Sequence, residues 1–194
     1  MGRRRAYDTS AVIQAAREQF WRCGYELTSV GDLEACTGLD RSSLYHAFGS
    51  KQGLFEAALR SYLKEAIESR LAAMRQPDAG IAAIVAFFDG MAETFLSDPE
   101  HARNGCLMVN ALAELGSNTA ALPLAEAYRA SFRNAFSTAL THAAAWGEVD
   151  SARIGQRANL LTAMTMGLFI SARMDPTDAA QVCQSVAAEV ATWR

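Results

Sequence analysis

The stretch TSVGDLEACTGLDRSSLYHAFGSKQGLF, Thr28 to Phe55, decides how the rest of the chain is read. Thr28 can cap a short helix carrying Val30 and Leu33, and Gly38 can take the positive φ of a tight turn between helices. Asp40 then caps a second short helix, RSSLYHAF, which Gly49 ends, and Ser50 caps a third. Two short helices joined by a glycine turn form a helix-turn-helix, whose second helix lies in the DNA major groove with its first residues facing the bases. Those residues are Arg41, Ser42 and Ser43: a long bidentate donor suited to guanine and two small hydroxyls. Tyr45 and His46 can reach phosphates from the flank, and Lys51, with the free N–H groups after Ser50, offers a phosphate seat at a helix start, as Thr28 does earlier. Leu44, Phe48, Leu54 and Phe55 close a small core.

Upstream, Asp8 caps a first helix whose stripe is Val12, Ile13, Ala16 and Phe20, and Gly24 ends it. Downstream, the helix from Ser50 runs through Leu54, Leu59, Leu63 and Ile67 to about Met74, and Gln76 to Gly80 (QPDAG) marks a hinge. Further helices are expected at about 80–97, 100–115, 119–146, 152–173 and 177–193, with Asp98-Pro99 and Asp175-Pro176 at two starts and Gly116 and Gly147 at two ends. No alternating strand pattern competes, so the chain reads as all-α. It divides into a helix-turn-helix DNA-binding domain with a basic tail (1–50), a connecting helix (51–77) and a second helical domain (78–194).

The 194 residues are 51% hydrophobic and 20% charged, enough for a real core. The net charge of -3 hides an asymmetry: residues 1–64 hold nine basic and seven acidic side chains, the remainder nine and fourteen. Local charge, not the total, decides whether a phosphate backbone is attracted. The N-terminal MGRRRAYDTS has no apolar run behind it and is no secretory signal, and Ala158 to Ala172 is too short to span a bilayer, so a cytoplasmic protein with no membrane partner is expected. Cys23, Cys36, Cys106 and Cys183 show neither disulfide nor zinc spacing, and no metal or other cofactor is implied.

Residues 8 to 60 resemble the N-terminal DNA-binding domain of the TetR family of one-component transcriptional regulators. The resemblance rests on the order T-S-V, a small-residue turn with glycine, S-L-Y-x-x-F and S-K-x-x-L-F. It implies that Thr28, Arg41, Ser42, Ser43, Tyr45, His46 and Lys51 contact double-stranded operator DNA. Arg3, Arg4 and Arg5 fall in the basic tail, which is either a groove-reading arm or a solubilising end. Asp40 departs from the Ser or Thr of many members and brings a negative charge near phosphates. The family also implies a homodimer through the last two helices and an effector pocket between them and the hinge. Leu160, Leu161, Met164, Leu168 and Ser171 share one face of the first, with Ala179, Val182, Cys183, Val186, Val190 and Trp193 on the second. Phe87, Met91, Phe95, Tyr128, Phe132 and Met164 are the candidates to line that pocket for a small-molecule effector, although such stripes also serve as plain core.

The segment RNGCLMVNALAEL, Arg103 to Leu115, resembles a subset of the family, the repressors of N-ethylmaleimide reductase among them, in which a cysteine here senses electrophiles or oxidants. A helix starting near Asn104 would put Cys106 in its first turn beside Arg103, where dipole and cation both favour thiolate, making it the first of the four thiols to react; the alternative is a buried packing residue. An enzyme is not expected. No catalytic residue is identified: His101 lies about 140° around a helix from Cys106, and no phosphate-binding loop, carboxylate pair or G-x-S-x-G occurs. A helical interaction or scaffold protein without sequence-specific DNA binding is the remaining alternative, but it leaves Arg41 to Lys51 without a purpose.

Overall fold

The computed structural model describes residues 7–116 and 121–194, and among them every regular element is helical. Arg3, Arg4 and Arg5 lie outside the described residues. Helix α1 (Thr9–Cys23) starts where the Asp8 carboxylate accepts the Ser10 N–H at 2.9 Å and stops at Gly24, whose φ of +83° is open only to glycine at little cost. Helix α2 (Val30–Thr37) is capped by Ser29, not Thr28: the Ser29 hydroxyl accepts the Asp32 N–H and the Asp32 carboxylate accepts the Ser29 N–H at 2.8 Å, a reciprocal capping box. Thr28 is fully buried, its hydroxyl donating to the Gly24 carbonyl at 2.6 Å, which braces the turn between the two helices. Gly38 in the left-handed region turns the chain into α3 (Arg41–Phe48), capped by Asp40 through the Ser43 N–H at 2.8 Å. Phe20, Leu33, Leu44, Leu54 and Phe55 fill the core beneath these helices, with Phe20 and Phe55 edge to face at 4.8 Å.

Helix α4 (Lys51–Tyr62), capped by Ser50, does not run unbroken to Met74. It passes into a π-turn (Leu63–Ile67), α5 (Glu68–Leu71) and a 3-10 turn (Ala73–Arg75). Tyr62 and Ile67, five residues apart, are both buried, and a regular α-helix would set them roughly 140° apart. The wider turn absorbs the extra residue and keeps both on the inner face.

Helix α6 (Ile81–Ser97) follows the Gln76–Gly80 turn. The single helix expected over 100–115 is two: α7 (Pro99–Ala102) and α8 (Leu107–Leu115), parted at Gly105, whose φ is +67°. A Cβ there would stand 2.7 Å from the Arg173 side chain and 3.1 Å from the Phe169 carbonyl, so the break lets the backbone press against the helix those residues occupy. Helices α9 (Ala121–Ala145), α10 (Ile154–Met174) and α11 (Pro176–Ala191) complete the fold. Asp175 caps α11 by accepting from the Thr177 and Asp178 N–H groups, with Pro176 at its first position. Helix α11 lies along α6 and α10 along α9, around a core that includes Phe88, Tyr128, Phe132 and Phe136.

Candidate nucleic-acid interface and the helices behind it

Arg41 and Ser42 stand exposed at the first turn of α3, with His46 exposed one turn on and Tyr45 half-buried. Residues at this spacing share a helical face, so the structure brings Arg41, Ser42, Tyr45 and His46 together on the outer side of α3, while Leu44 anchors the inner side. The Arg41 guanidinium lies 5.2 Å from the Tyr45 ring centroid, which holds it along the helix. Ser43 is half-buried and its N–H is engaged by Asp40. Lys51 stands apart at the start of α4, its ammonium 4.3 Å from the Tyr25 ring centroid. Thr28 does not join this face: it has no exposed surface, and the hydroxyl at the start of α2 is that of Ser29.

Carboxylates brace the same elements. Hydrogen bonds from Ser43 hold the Asp40 carboxyl below the usual range, and those from Ser29 do so for Asp32. The Arg41 N–H donates to Glu34 Oε1 at 2.6 Å, tying α3 back to α2.

Links from α8 and its approach to α1 and the turn after it are the feature that local sequence patterns do not announce. Glu114, in the last turn of α8, accepts the Tyr25 N–H at 2.8 Å and the Glu26 N–H at 2.7 Å, one on each carboxylate oxygen. At the other end of α8, the Gly105 carbonyl accepts the Trp21 indole N–H at 3.1 Å. The Trp21 ring meets Tyr62 at 5.0 Å and His101 at 4.5 Å, both edge to face. Helix α8 is thus tied at both ends to α1 and the turn that follows it. Arg17 of α1 pairs with Glu65 in the π-turn at 2.8 Å.

Cys106 is the N-cap residue of α8, one residue before the first turn, and only 1% exposed. Its thiol donates to the Tyr128 hydroxyl at 3.1 Å, and burial pushes it up from the ordinary thiol range, an effect that its contacts with Tyr128 and Tyr62 only partly offset. The expected cation is directed elsewhere, since Arg103 donates to the Met174 carbonyl at 2.9 Å. Cys106 is therefore a protonated, enclosed thiol in the resting protein.

A cavity of about 200 Å³ opens between α5, α6 and α10, lined by Arg70, Ala86, Phe87, Gly90, Met91, Thr94 and Phe169. Phe87 and Met91 of the expected set reach it. Phe95, Tyr128 and Phe132 are buried in the packed core instead, and Met164 is half-buried against it. On α10 the exposed residues Leu160, Ala163, Gly167, Ile170 and Met174 recur at three- and four-residue spacing, with Leu160 and Ile170 each 51% exposed and Met174 71%. Val182 of α11 is 40% exposed, whereas Leu161, Leu168, Cys183 and Val186 are buried within the chain. Among the described residues no three His, Cys, Asp or Glu side chains are placed to hold a metal ion, and no helix is long and apolar enough to cross a membrane.

The family model of bacterial regulatory proteins, tetR family, matches residues 12–58. The uncharacterised HTH-type transcriptional regulator YezE of Bacillus subtilis is 38% identical over 117 residues, 59% of this chain and 58% of YezE. The chain spans about half the length of the curated relatives it matches. Among solved structures, the TetR family transcriptional regulator CifR, a cysteine mutant complexed with 26 bp double-strand operator DNA, superposes with a TM-score of 0.82 at 26% identity over the whole of both chains. A TetR transcriptional regulator from Rhodococcus sp. RHA1 is 30% identical over 94% of this chain and 98% of its own, with a TM-score of 0.57.

Proposed function

The chain belongs to the TetR family of bacterial regulatory proteins, and on that premise we propose that it is a cytoplasmic, non-enzymatic one-component regulator that represses by gripping palindromic operator DNA as a homodimer. The observation that carries this reading is the outer face of α3, where Arg41, Ser42, Tyr45 and His46 stand together on a helix braced from behind. Arg41 reads a base edge, Ser42 approaches a base or phosphate, and Ser43, Tyr45, His46 and Lys51 hold the backbone. Residues 1–50 read DNA, 51–77 connect, and 78–194 sense and dimerise. The apolar stripe of α10, with Val182 beside it on α11, supports a self-complementary interface, and two recognition helices must meet half-sites about one DNA turn, ~34 Å, apart.

Release follows from a ligand in the α5–α6–α10 cavity. Phe169 lines it, and the Phe169 carbonyl lies against Gly105, at the entrance to α8. A ligand that moves α10 or α5 therefore strains α8 and the π-turn, both of which hold the DNA-binding domain through Glu114, Trp21 and Arg17. Operator and ligand then oppose one another by the same factor in both directions.

A second reading assigns release to an electrophile or oxidant at Cys106. It is favoured by the thiol's place at the start of α8 between two buried tyrosines, where an adduct has no room unless the helix moves. That CifR was solved on operator DNA as a cysteine mutant supports attention to a thiol.

The experiment is selection of bound duplexes from a random pool. The reading expects an inverted repeat held by two chains; enrichment of no motif would leave the scaffold alternative standing.

A further inference from the structure

The cavity's lining has a lopsided chemistry. Phe87, Met91 and Phe169 make it apolar, and Thr94 already donates its hydroxyl to the Gly90 carbonyl at 2.8 Å. Among the described residues that line it, Arg70 is thus the remaining side-chain donor. Among the described residues no carboxylate pairs with it. Arg70 is exposed at the rim of an aromatic cavity, near Tyr62 and Tyr128 but held by no carboxylate, and its planar donors match an incoming carboxylate with two parallel hydrogen bonds. A neutral ligand would gain little from that hydrated charge; a cation would be repelled.

We propose that this cavity binds a small apolar acid, an aryl or alkyl carboxylate whose body packs against Phe87, Met91 and Phe169 while Arg70 takes its carboxylate. This inference rests on the cavity being the effector site, and adds the class of ligand. Arg70 belongs to α5, directly after the π-turn, so a carboxylate bound there pulls on the segment that Glu65 ties to Arg17 of α1. Occupancy and DNA grip are coupled through that segment.

The test is calorimetric titration of the DNA-free protein with phenylbutyrate and octanoate beside their primary amides, which have the same shape and no charge. The acids should bind at least about tenfold tighter than the amides, with an advantage that shrinks as salt rises. Arg70→Gln should remove that advantage and leave amide affinity unchanged. Gly90→Leu should abolish binding of both, since Gly90 lines the cavity and nothing lies within 4 Å of where a Cβ would stand, which leaves room for the larger side chain to occupy the ligand's space. Amides binding as tightly as acids, Arg70→Gln binding acids undiminished, or no acid binding at all would each overturn the proposal. Because no DNA is present, any of these results leaves the operator reading untouched, and loss of operator recognition would leave these titrations unchanged.

Discussion

Replacing Glu114 by alanine should unfasten the turn after α1 without unfolding either part of the protein. The wild-type carboxylate accepts two backbone N–H groups, at 2.8 Å from Tyr25 and 2.7 Å from Glu26. A hydrogen bond to a charged group contributes ~1.5–3 kcal/mol when shielded, and because Glu114 is exposed the pair together is worth about 1–3 kcal/mol. Losing it should speed hydrogen exchange at the Tyr25 and Glu26 amides roughly fivefold to a hundredfold, since about 1.4 kcal/mol is a factor of ten. Amides deep in α1 and α2, such as those of Phe20 and Leu33, should hardly change, because their hydrogen bonds are helical. Glu114→Gln should fall between, keeping one good acceptor and turning an NH₂ group toward a donor. In operator binding, Glu114→Ala should weaken the difference between ligand-free and ligand-bound protein more than it weakens ligand-free affinity. Unchanged exchange at Tyr25 and Glu26, or a rise equal to that at Phe20 and Leu33, would refute the clamp and with it the α8 route.

Arg41→Ala should relax specificity by about 1–3 kcal/mol at one base pair, whereas Lys51→Ala should weaken all duplexes alike and flatten the salt dependence, both read by fluorescence anisotropy. Ile170→Glu, placing a charge in the middle of the exposed α10 stripe, should yield a folded monomer in light scattering; a dimer of undiminished stability would move the interface elsewhere. Iodoacetamide at neutral pH should label Cys36 and Cys23 before Cys106 and Cys183, mapped by mass spectrometry. Burial pushes the Cys106 thiol up and that of Cys183 up to about 12, so both stay protonated at neutral pH and their labelling should climb as pH rises; Cys106 labelling first would show that α8 opens readily. The lowered carboxyls of Asp32 and Asp40 contribute stability that is present above the usual carboxylate range and lost as pH falls through their folded values, so the helix-turn-helix should loosen in acid, seen by amide exchange in α2 and α3.

The N-terminal half was legible because its signals are local. Asp8, Asp40 and Ser50 cap the helices they precede, and Gly24, Gly38 and Gly49 end helices with positive φ. Where two hydroxyls stood side by side, the sequence pattern chose Thr28 over Ser29. Asp32 three residues after Ser29 was the capping-box signal that would have decided it. Gly105 likewise stood in plain view within the helix expected over 100–115. The π-turn depends on which side chains a distant core buries, and the Glu114 clamp joins residues 88 and 89 positions apart, so neither leaves a periodic trace. The two readings of Cys106 stayed open for the same reason: sequence neighbours offered only Arg103, whereas burial beside Tyr62 and Tyr128 comes from other helices.

In the proposed complex two α3 helices read one duplex together. Hydroxyl-radical footprinting of the protein on the inverted repeat obtained by selection tests it most directly. Two protected patches related by two-fold symmetry are expected about one DNA turn (~34 Å) apart on one face, lost together in Ile170→Glu and blurred by Arg41→Ala. Protection without two-fold symmetry, or equal protection of a scrambled duplex at physiological salt, would contradict it.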